Sequence, residues 1–537
     1  MRSRGWRPHV PSAPSAATNL FEIMMKLVLA LVLSAVPFLG QTSAKPDRQT
    51  VLDTMKRATM AMEKLSTNGG YVWSYLPDLS RRWGEMEARD TMIWIQPPGT
   101  PTMGHLFLDA YHAAGDEYYY QAAERVAGAL IWGQHPSGGW NYMVDFAGDR
   151  SLKEWYDTVG KNGWRLEEFQ HYWGNATFDD AGTAYSAKFL LRLYVEKRDP
   201  KYKSALEKAI QFVIESQYPI GGWPQRYPLQ HEFSHHGLPD YTSFITFNDD
   251  VAAENIEFLI MCYQALGDSR VLDAITRGMN AFLVTQQGAP QPGWALQYTL
   301  DLKPAGARTY EPNALVTHTT AFNIEQLIKF YRLTGDTKFL ARIPDALDWL
   351  DSLKLPPGIA TPASRTHPTF VEIGTNKPLY VHREGSNVVN GRYFFDYNPK
   401  NTIGHYSAFR RIDVDALRKR YAEVKALAPS EALKGSPLAP GRGLMPLARF
   451  FAVESVSNGS VEPVVAGLNK EGYWVVPLHM NSHPYRGDGS MKLSSGDFSQ
   501  TQVGDETDTS PFPDDKILGI STEAYIHNMS VLIRSLL

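Results

Sequence analysis

The stretch "GTAYSAKFLLRLYVEKRDPKYKSALEKAIQFVIESQYPIGGWPQRY", Gly182–Tyr227, decides the fold. One helix of period 3.6 ends in a tyrosine, an Arg-Asp turn follows, and a second amphipathic helix leads to a Gln and a Gly-Trp loop. The same plan runs from Gly104 to Tyr142 and from Ala252 to Tyr298, and without the closing loop from Thr319 to Leu353. "STNGGYVWSY", Ser66–Tyr75, is the tail of an earlier copy. Helix-pair repeats of about 70–80 residues bury their apolar faces on their neighbours and stack side by side. With this many pairs, the expected fold is all-α: an α/α toroid of repeated helix hairpins, with long loops and an irregular C-terminal extension.

A toroid gathers its loops at one end, where a rigid scaffold can carry a site. Trp73, Trp140, Trp223 and Trp294 then either rim one groove or plug the loops onto the helix ends, the glycines serving tight turns. Acids fall at matching places. "TFDDAGTAYS" puts Asp179 and Asp180 before the first helix of one repeat, and "TFNDDVAAEN" puts Asn248, Asp249 and Asp250 before the first helix of the next. They could be helix N-caps and nothing more. Clustered in two adjacent copies, they also aim several oxygen ligands at one groove, which suits calcium better than zinc.

Composition narrows the classes. The 537 residues carry a formal net charge of −4, which speaks against nucleic acid as a partner. Aromatic residues make up 12 %, enough for a groove that stacks rings or for a rich core. The single cysteine, Cys262, lies in the apolar run "EFLIMCYQAL" and reads as buried filler. Lys26, the apolar run Leu27–Leu39 and "QTSA" at Gln41–Ala44 read as a secretory signal cleaved after Ala44, with Met24 or Met25 as a possible start. The expected organisation is therefore an upstream extension and signal over 1–44, a toroid catalytic domain over 45–420, and an extension with a closing helix over 421–537. The mature protein is expected to be secreted or periplasmic, a monomer, with no stable membrane anchor.

"YPIGGWPQRYP", "ITFNDD" and "ALQYTLDLKPAGARTYEP" (Ala295–Pro312) together resemble polysaccharide lyase family 10, the pectate lyases with an α/α toroid. The resemblance spans roughly Asn175–Arg383 and implies calcium-assisted β-elimination on polygalacturonate, with Ca²⁺ as cofactor. It implies that Asp249 and Asp179 bind the metal and that Arg308, in "GARTYEP", is the base. Asp180, Trp223, Gln225, Asn248, Tyr310 and Arg383 are implied substrate contacts. The residue types suit the chemistry. A cation on the uronate carboxylate acidifies the C5 proton, and guanidinium forks grip carboxylates. Arginine as a base needs its pKa lowered from above about 12. Alternatively, Arg308 is simply salt-bridged to Glu311. Three departures stand out: Asp180 where the family has Asn, Arg226 after "GGWPQ", and a blurred pattern beyond Arg383.

Other readings compete. "HEFSH", His231–His235, spells a zinc-protease motif, but the prolines around it mark a loop where two imidazoles cannot share a helix face. "QHPSGGW" and "QYPIGGW" fit the repeats of triterpene cyclases, also α/α barrels, although a secretory signal and the arginines count against an apolar, membrane-fed cavity. A non-catalytic pectin-binding protein would keep the groove without a working base.

Overall fold

The structure, a computed structural model, describes residues 46–160, 167–230, 240–360, 362–384, 392–400, 402–403, 407–453, 459–478 and 517–537. The signal expected before residue 45 and the His231–His235 spelling lie outside them. Each sequence repeat is a packed helix pair. In chain order the helices are α1 (Arg48–Leu65), α2 (Thr100–Ala114), α3 (Glu117–Trp132), α4 (Asp149–Thr158), α5 (Gly182–Lys197), α6 (Lys203–Glu215) and α7 (Val251–Leu266). They continue with α8 (Val271–Thr285), α9 (Thr317–Thr334), α10 (Ile343–Ser352), α11 (Val414–Lys425), α12 (Pro429–Ala432), α13 (Val461–Gly467) and α14 (Thr522–Leu536). No helix among the described residues is long and apolar enough to cross a membrane.

The two-residue turns explain the spelling of the repeats. Gly115, Gly267 and Gly335 end α2, α7 and α9 in the left-handed conformation, with φ of 72°, 70° and 68°. Glycine meets no Cβ penalty there. The following aspartates, Asp116 and Asp336, accept from backbone N–H groups two residues on and cap the next turn. The Gly-Trp loops are staples. The Trp140, Trp223 and Trp294 indoles are fully buried and donate to the carbonyls of Leu130, Val213 and Phe282 at 2.8, 2.8 and 2.9 Å. Gln134, Gln217 and Gln286 donate both to their own loop and to the next repeat, at Ala205, Ala274 and Arg342. The Gln–Gly–Trp spelling is thus accounted for by packing. Gly221 (φ 104°) shows how tightly: a Cβ there would lie 1.9 Å from the Arg277 carbonyl oxygen.

Closure follows one rule. In each repeat, a short strand before the first helix pairs with the strand after the Gly-Trp loop. Met92–Trp94 pairs with Met143–Asp145, Ala176–Thr177 with Arg226–Tyr227, and Ile245–Thr246 with Gln297–Tyr298, all antiparallel. The last pairing joins the two ends of the chain. Leu518–Ser521, ahead of α14, pairs with Ser74–Tyr75, beyond α1. The copy whose tail is "STNGGYVWSY" therefore has its first helix at the far end of the sequence. Helix α14 packs on α1 and α2, α2 on α5, and α5 on α7, giving the inner succession of an α/α toroid. Beneath it the C-terminal segment is tied inward: Asp109 accepts from the backbone N–H groups of Phe451, Ala452 and Val453, and His105 stacks on Phe451 at 4.1 Å. Cys262 is buried, as read.

Candidate functional site

The loops before α5 and α7 share one unusual backbone. Asp180 and Ala181 have φ of 49° and 57°, and Asp249 and Asp250 have φ of 50° and 57°. Consecutive left-handed non-glycine residues are strained, at roughly 1–3 kcal/mol each, and cluster where function over-determines geometry. Neither helix takes a side-chain cap from these acids, although Asp250 stands at the N-cap position of α7. The shared backbone also sets the register between the two loops. Asp180 corresponds to Asp249, and buried Asp179 to buried Asn248. The pair facing a cavity of about 570 Å³ is accordingly Asp180 and Asp249, joined there by Trp73, Glu85, Gln96, Glu168, Glu254, Arg308 and Tyr310.

Asp179 lies behind that wall. It is fully buried, accepts from Tyr142 at 2.6 Å, from Gln225 at 3.1 Å and from Arg308 at 2.6 Å, and shares a hydrogen bond with the Asp249 carboxyl. Burial alone would raise its pKa, but Arg308 and these hydrogen bonds outweigh it and hold the carboxyl below the usual range. Asp180 and Asp249 go the other way. Loss of solvent, and then the charge of Asp179 beside them, push both well above the ordinary carboxylate value. The surroundings thus favour the ionised form of Asp179 and the protonated form of the two acids in front of it.

Arg308 is the hub of the buried side. Its Nε donates to Glu168 at 3.0 Å, one terminal nitrogen to Asp179 at 2.6 Å and the other to Glu311 at 3.2 Å. Burial acts to lower its pKa, yet Glu168, Tyr310, Asp179 and Glu311 overcome that and raise it well above the normal arginine value. The expected salt bridge to Glu311 is present; the lowered pKa that a base needs is not. In this arrangement Arg308 is a cation, and a role as base is open to it only where those carboxylates no longer hold it.

Three expected substrate contacts are placed differently. Trp223 is a fully buried plug, Gln225 is buried and orients Asp179, and buried Asn248 donates to Glu311 at 3.3 Å. Tyr310 does line the cavity. Arg383 lies in the strand Pro378–Glu384, paired with Arg392–Asp396, and its side chain is outside the described residues. Arg226, the departure after "GGWPQ", is buried beside Asn141 and Asn175 and 5.0 Å from the Tyr142 ring. Tyr71, not Trp73, occupies the plug position of the first loop: its backbone N–H donates to Thr100 as those of Trp140 and Trp294 donate to Thr183 and Thr320. Of the residues two beyond the plug, Trp73 lines the cavity, and Tyr142 and Gln225 donate to Asp179 behind it. That offset was available from aligning the loops; Glu85, Gln96 and Glu168 carry no such signal.

The sequence profile of the pectic acid lyase family matches residues 149–356, the stretch that supplies Glu168, Asp179, Asp180, Asp249 and Arg308. Over those residues the chain is similar to the pectic acid lyases. A family 10 polysaccharide lyase from Cellvibrio cellulosa is 19 % identical over 56 % of this chain and 92 % of its own, with a TM-score of 0.40. A mutant of that lyase in complex with trigalaturonic acid is 18 % identical over 56 % and 97 %, with a TM-score of 0.38. An α-1,6-mannanase of Salegentibacter sp. HEL1_6 is 11 % identical over 90 % and 99 %, with a TM-score of 0.36. Likenesses this loose carry no chemistry across. No curated protein matches the chain. The match to the pectic acid lyase family supports a polysaccharide lyase or a related carbohydrate-active enzyme.

Proposed function

We propose that this protein cleaves polygalacturonate by β-elimination at the Asp180–Asp249 cavity. One observation carries the reading: the acids and the arginine of the segment that matches the pectic acid lyases converge from distant positions on one cavity. Elimination removes the C5 proton α to the uronate carboxylate and expels the O4 oxygen. The groove must therefore hold a uronate, tolerate charge growing on its carboxylate, and accept a proton.

The donor chemistry fits calcium. Asp249, Asp180 and Asp179 offer closely set oxygens, whose repulsion is eased by Arg308 and by hydrogen bonds from Tyr142, Gln225 and Gln96. Among the described residues no three His, Cys, Asp or Glu side chains are grouped to grip a metal unaided. Asp249 and Asp180, which face the cavity, would hold Ca²⁺ together with oxygens from substrate and water, while Asp179, the ligand that the resemblance implies, stands behind them with its oxygens hydrogen-bonded. When bound, it would supply the positive charge that stabilises the enolate-like carboxylate. Tyr142 and Gln225 fix Asp179, and Glu168 and Glu311 fix Arg308 beside the cavity. Arg308 is proposed to take the C5 proton after it has been released from its carboxylates and has given one of its own protons to solvent, since only the neutral guanidine has a lone pair to accept one.

A second reading has its own support. Several carboxyls, Glu85, Glu168, Asp180 and Asp249, line the same cavity, and hydrolysis of a glycosidic bond is the work of carboxyl pairs. Incubation with polygalacturonate separates the two. Elimination yields a 4,5-unsaturated uronide that absorbs in the ultraviolet, whereas hydrolysis yields reducing ends without it.

A further inference from the structure

Trp94 and Gln96 lie outside the matched segment 149–356, yet they reach into the site. Trp94 is held on several sides. It is fully buried, its ring meets Trp155 and Phe169 with centroids 6.1 and 5.8 Å apart, and a Cβ on Gly84 would lie 1.8 Å from it. Its indole Nε1–H can only donate, and it donates to the Gln96 Oε1 at 2.6 Å. That contact decides which way the buried amide points. With Oε1 turned to Trp94, the NH₂ end is turned to the acids: Nε2 donates to the Asp180 Oδ2 at 2.6 Å and to Glu85 at 3.0 Å. The main chain of Gln96 is committed as well. Its carbonyl accepts from the Trp73 indole at 2.9 Å and from the Gly99 N–H at 2.8 Å.

The direction of that amide matters to Asp180. Asp180 lines the cavity from a left-handed backbone, with φ of 49°. Tyr142, Gln225 and Arg308 steer Asp179 away from the cavity, and Gln96 steers its neighbour. A donor on Oδ2 restrains the carboxylate and leaves Oδ1 to the cavity. Were the amide reversed, its oxygen would face a carboxylate oxygen, two acceptors with no proton between them. The Trp94 indole prevents that reversal, because it would then meet an NH₂ group and lose its acceptor. A ligating carboxylate that is itself hydrogen-bonded is already oriented, so less freedom is lost when it binds a cation or a sugar hydroxyl.

We propose that Gln96, set by Trp94, is a positioning residue: it holds the Asp180 carboxylate in the orientation in which the cavity binds its ligands. The inference rests on the reading of the cavity as a calcium and uronate site. The test is calorimetric titration of Ca²⁺ into the intact protein, for wild type, Gln96→Met, Asp180→Ala and the double variant, with melting in chelator as the check on folding. Methionine keeps the length of the side chain and removes the donor. Gln96→Met should weaken calcium about tenfold, a change of about 1.4 kcal/mol. Once Asp180 is alanine, it should change the affinity by less than about twofold. Trp94→Phe, which frees the amide to reverse, should weaken calcium in the same direction and likewise lose its effect in the Asp180→Ala background. If Gln96→Met does not fold, Gln96→Asn, too short to span Trp94 and Asp180, serves in the same cycle. Calcium affinity unmoved by the Gln96 variant overturns the proposal. So does a loss of equal size with and without the Asp180 carboxylate, which would make Gln96 merely structural. If wild type takes up no calcium, the metal reading fails, and the same cycle read on trigalacturonate affinity decides. A loss confined to proteins that keep Asp180 then upholds the proposal, and no loss, or no binding, overturns it. Absence of unsaturated product would sink the elimination reading alone and leave the cycle standing.

Discussion

Replacing Arg308 by lysine keeps the positive charge and removes the fork, so it asks directly what the guanidinium does. The guanidinium spans Glu168, Asp179 and Glu311 at 3.0, 2.6 and 3.2 Å while about 4 % exposed. One ammonium on a shorter stem can meet one of these well, so two charge-assisted hydrogen bonds are lost. At about 1.5–3 kcal/mol each, the loss is about 3–6 kcal/mol, a large part of the ~5–15 kcal/mol that holds a domain folded. The sign with pH is fixed by Asp179. Its folded pKa is depressed, so its stabilisation is present above the unfolded value of about 3.9 and is lost as pH falls through the folded value. The gap between wild type and Arg308→Lys should therefore be full at neutral pH and narrow under acid. Urea unfolding at neutral pH and again well below about pH 3.9 measures it, alongside kcat and KM on polygalacturonate. If Arg308 is also the base, kcat should collapse with KM little changed. A variant with near-normal kcat, or a stability gap indifferent to pH, would refute this account of Arg308.

Other expectations follow from the same geometry. Asp180 and Asp249 have raised folded pKa values, so the chelated protein should lose stability as pH rises from about 4 through those values, and thermal melting in chelator checks this. Asp249→Asn should melt higher than wild type in chelator and lose the stabilisation that calcium gives; an unchanged calcium response would remove Asp249 from the metal site. Trp223→Ala should cost about 3–5 kcal/mol in unfolding experiments, since it empties a fully buried site and strips the Val213 carbonyl of its donor, with no direct effect on substrate affinity. Gly221→Ala should destabilise the protein although its loop is at the surface, because the new Cβ cannot coexist with the Arg277 carbonyl.

The fold was legible because its signals are local and repeated. The tyrosine-ended helix, the Gly-Asp turn and the Gln–Gly–Trp loop each solve the same packing problem in successive repeats. The split copy was half visible: "STNGGYVWSY" announced a missing partner, but only pairing of Ser74–Tyr75 with Ile520 and Ser521 shows where it is. The acids of the site were found because two loops carry them at the same offset. Their division of labour was not, since it depends on which carboxylate turns inward. Asp179 is drawn back by Tyr142, Gln225 and Arg308, residues 37, 46 and 129 positions away. Trp223 misled because a tryptophan beside glycines reads equally as a platform and as a plug, and burial alone separates the two. Glu85 and Glu168 stand in stretches without periodicity, and tertiary contact alone brings them to the cavity.

The most direct measurement is the ultraviolet absorbance of purified protein acting on polygalacturonate, with calcium and then with excess chelator. The account predicts a steady rise from a 4,5-unsaturated uronide, abolished by chelator and restored by added calcium. Reducing ends appearing without that absorbance would contradict it.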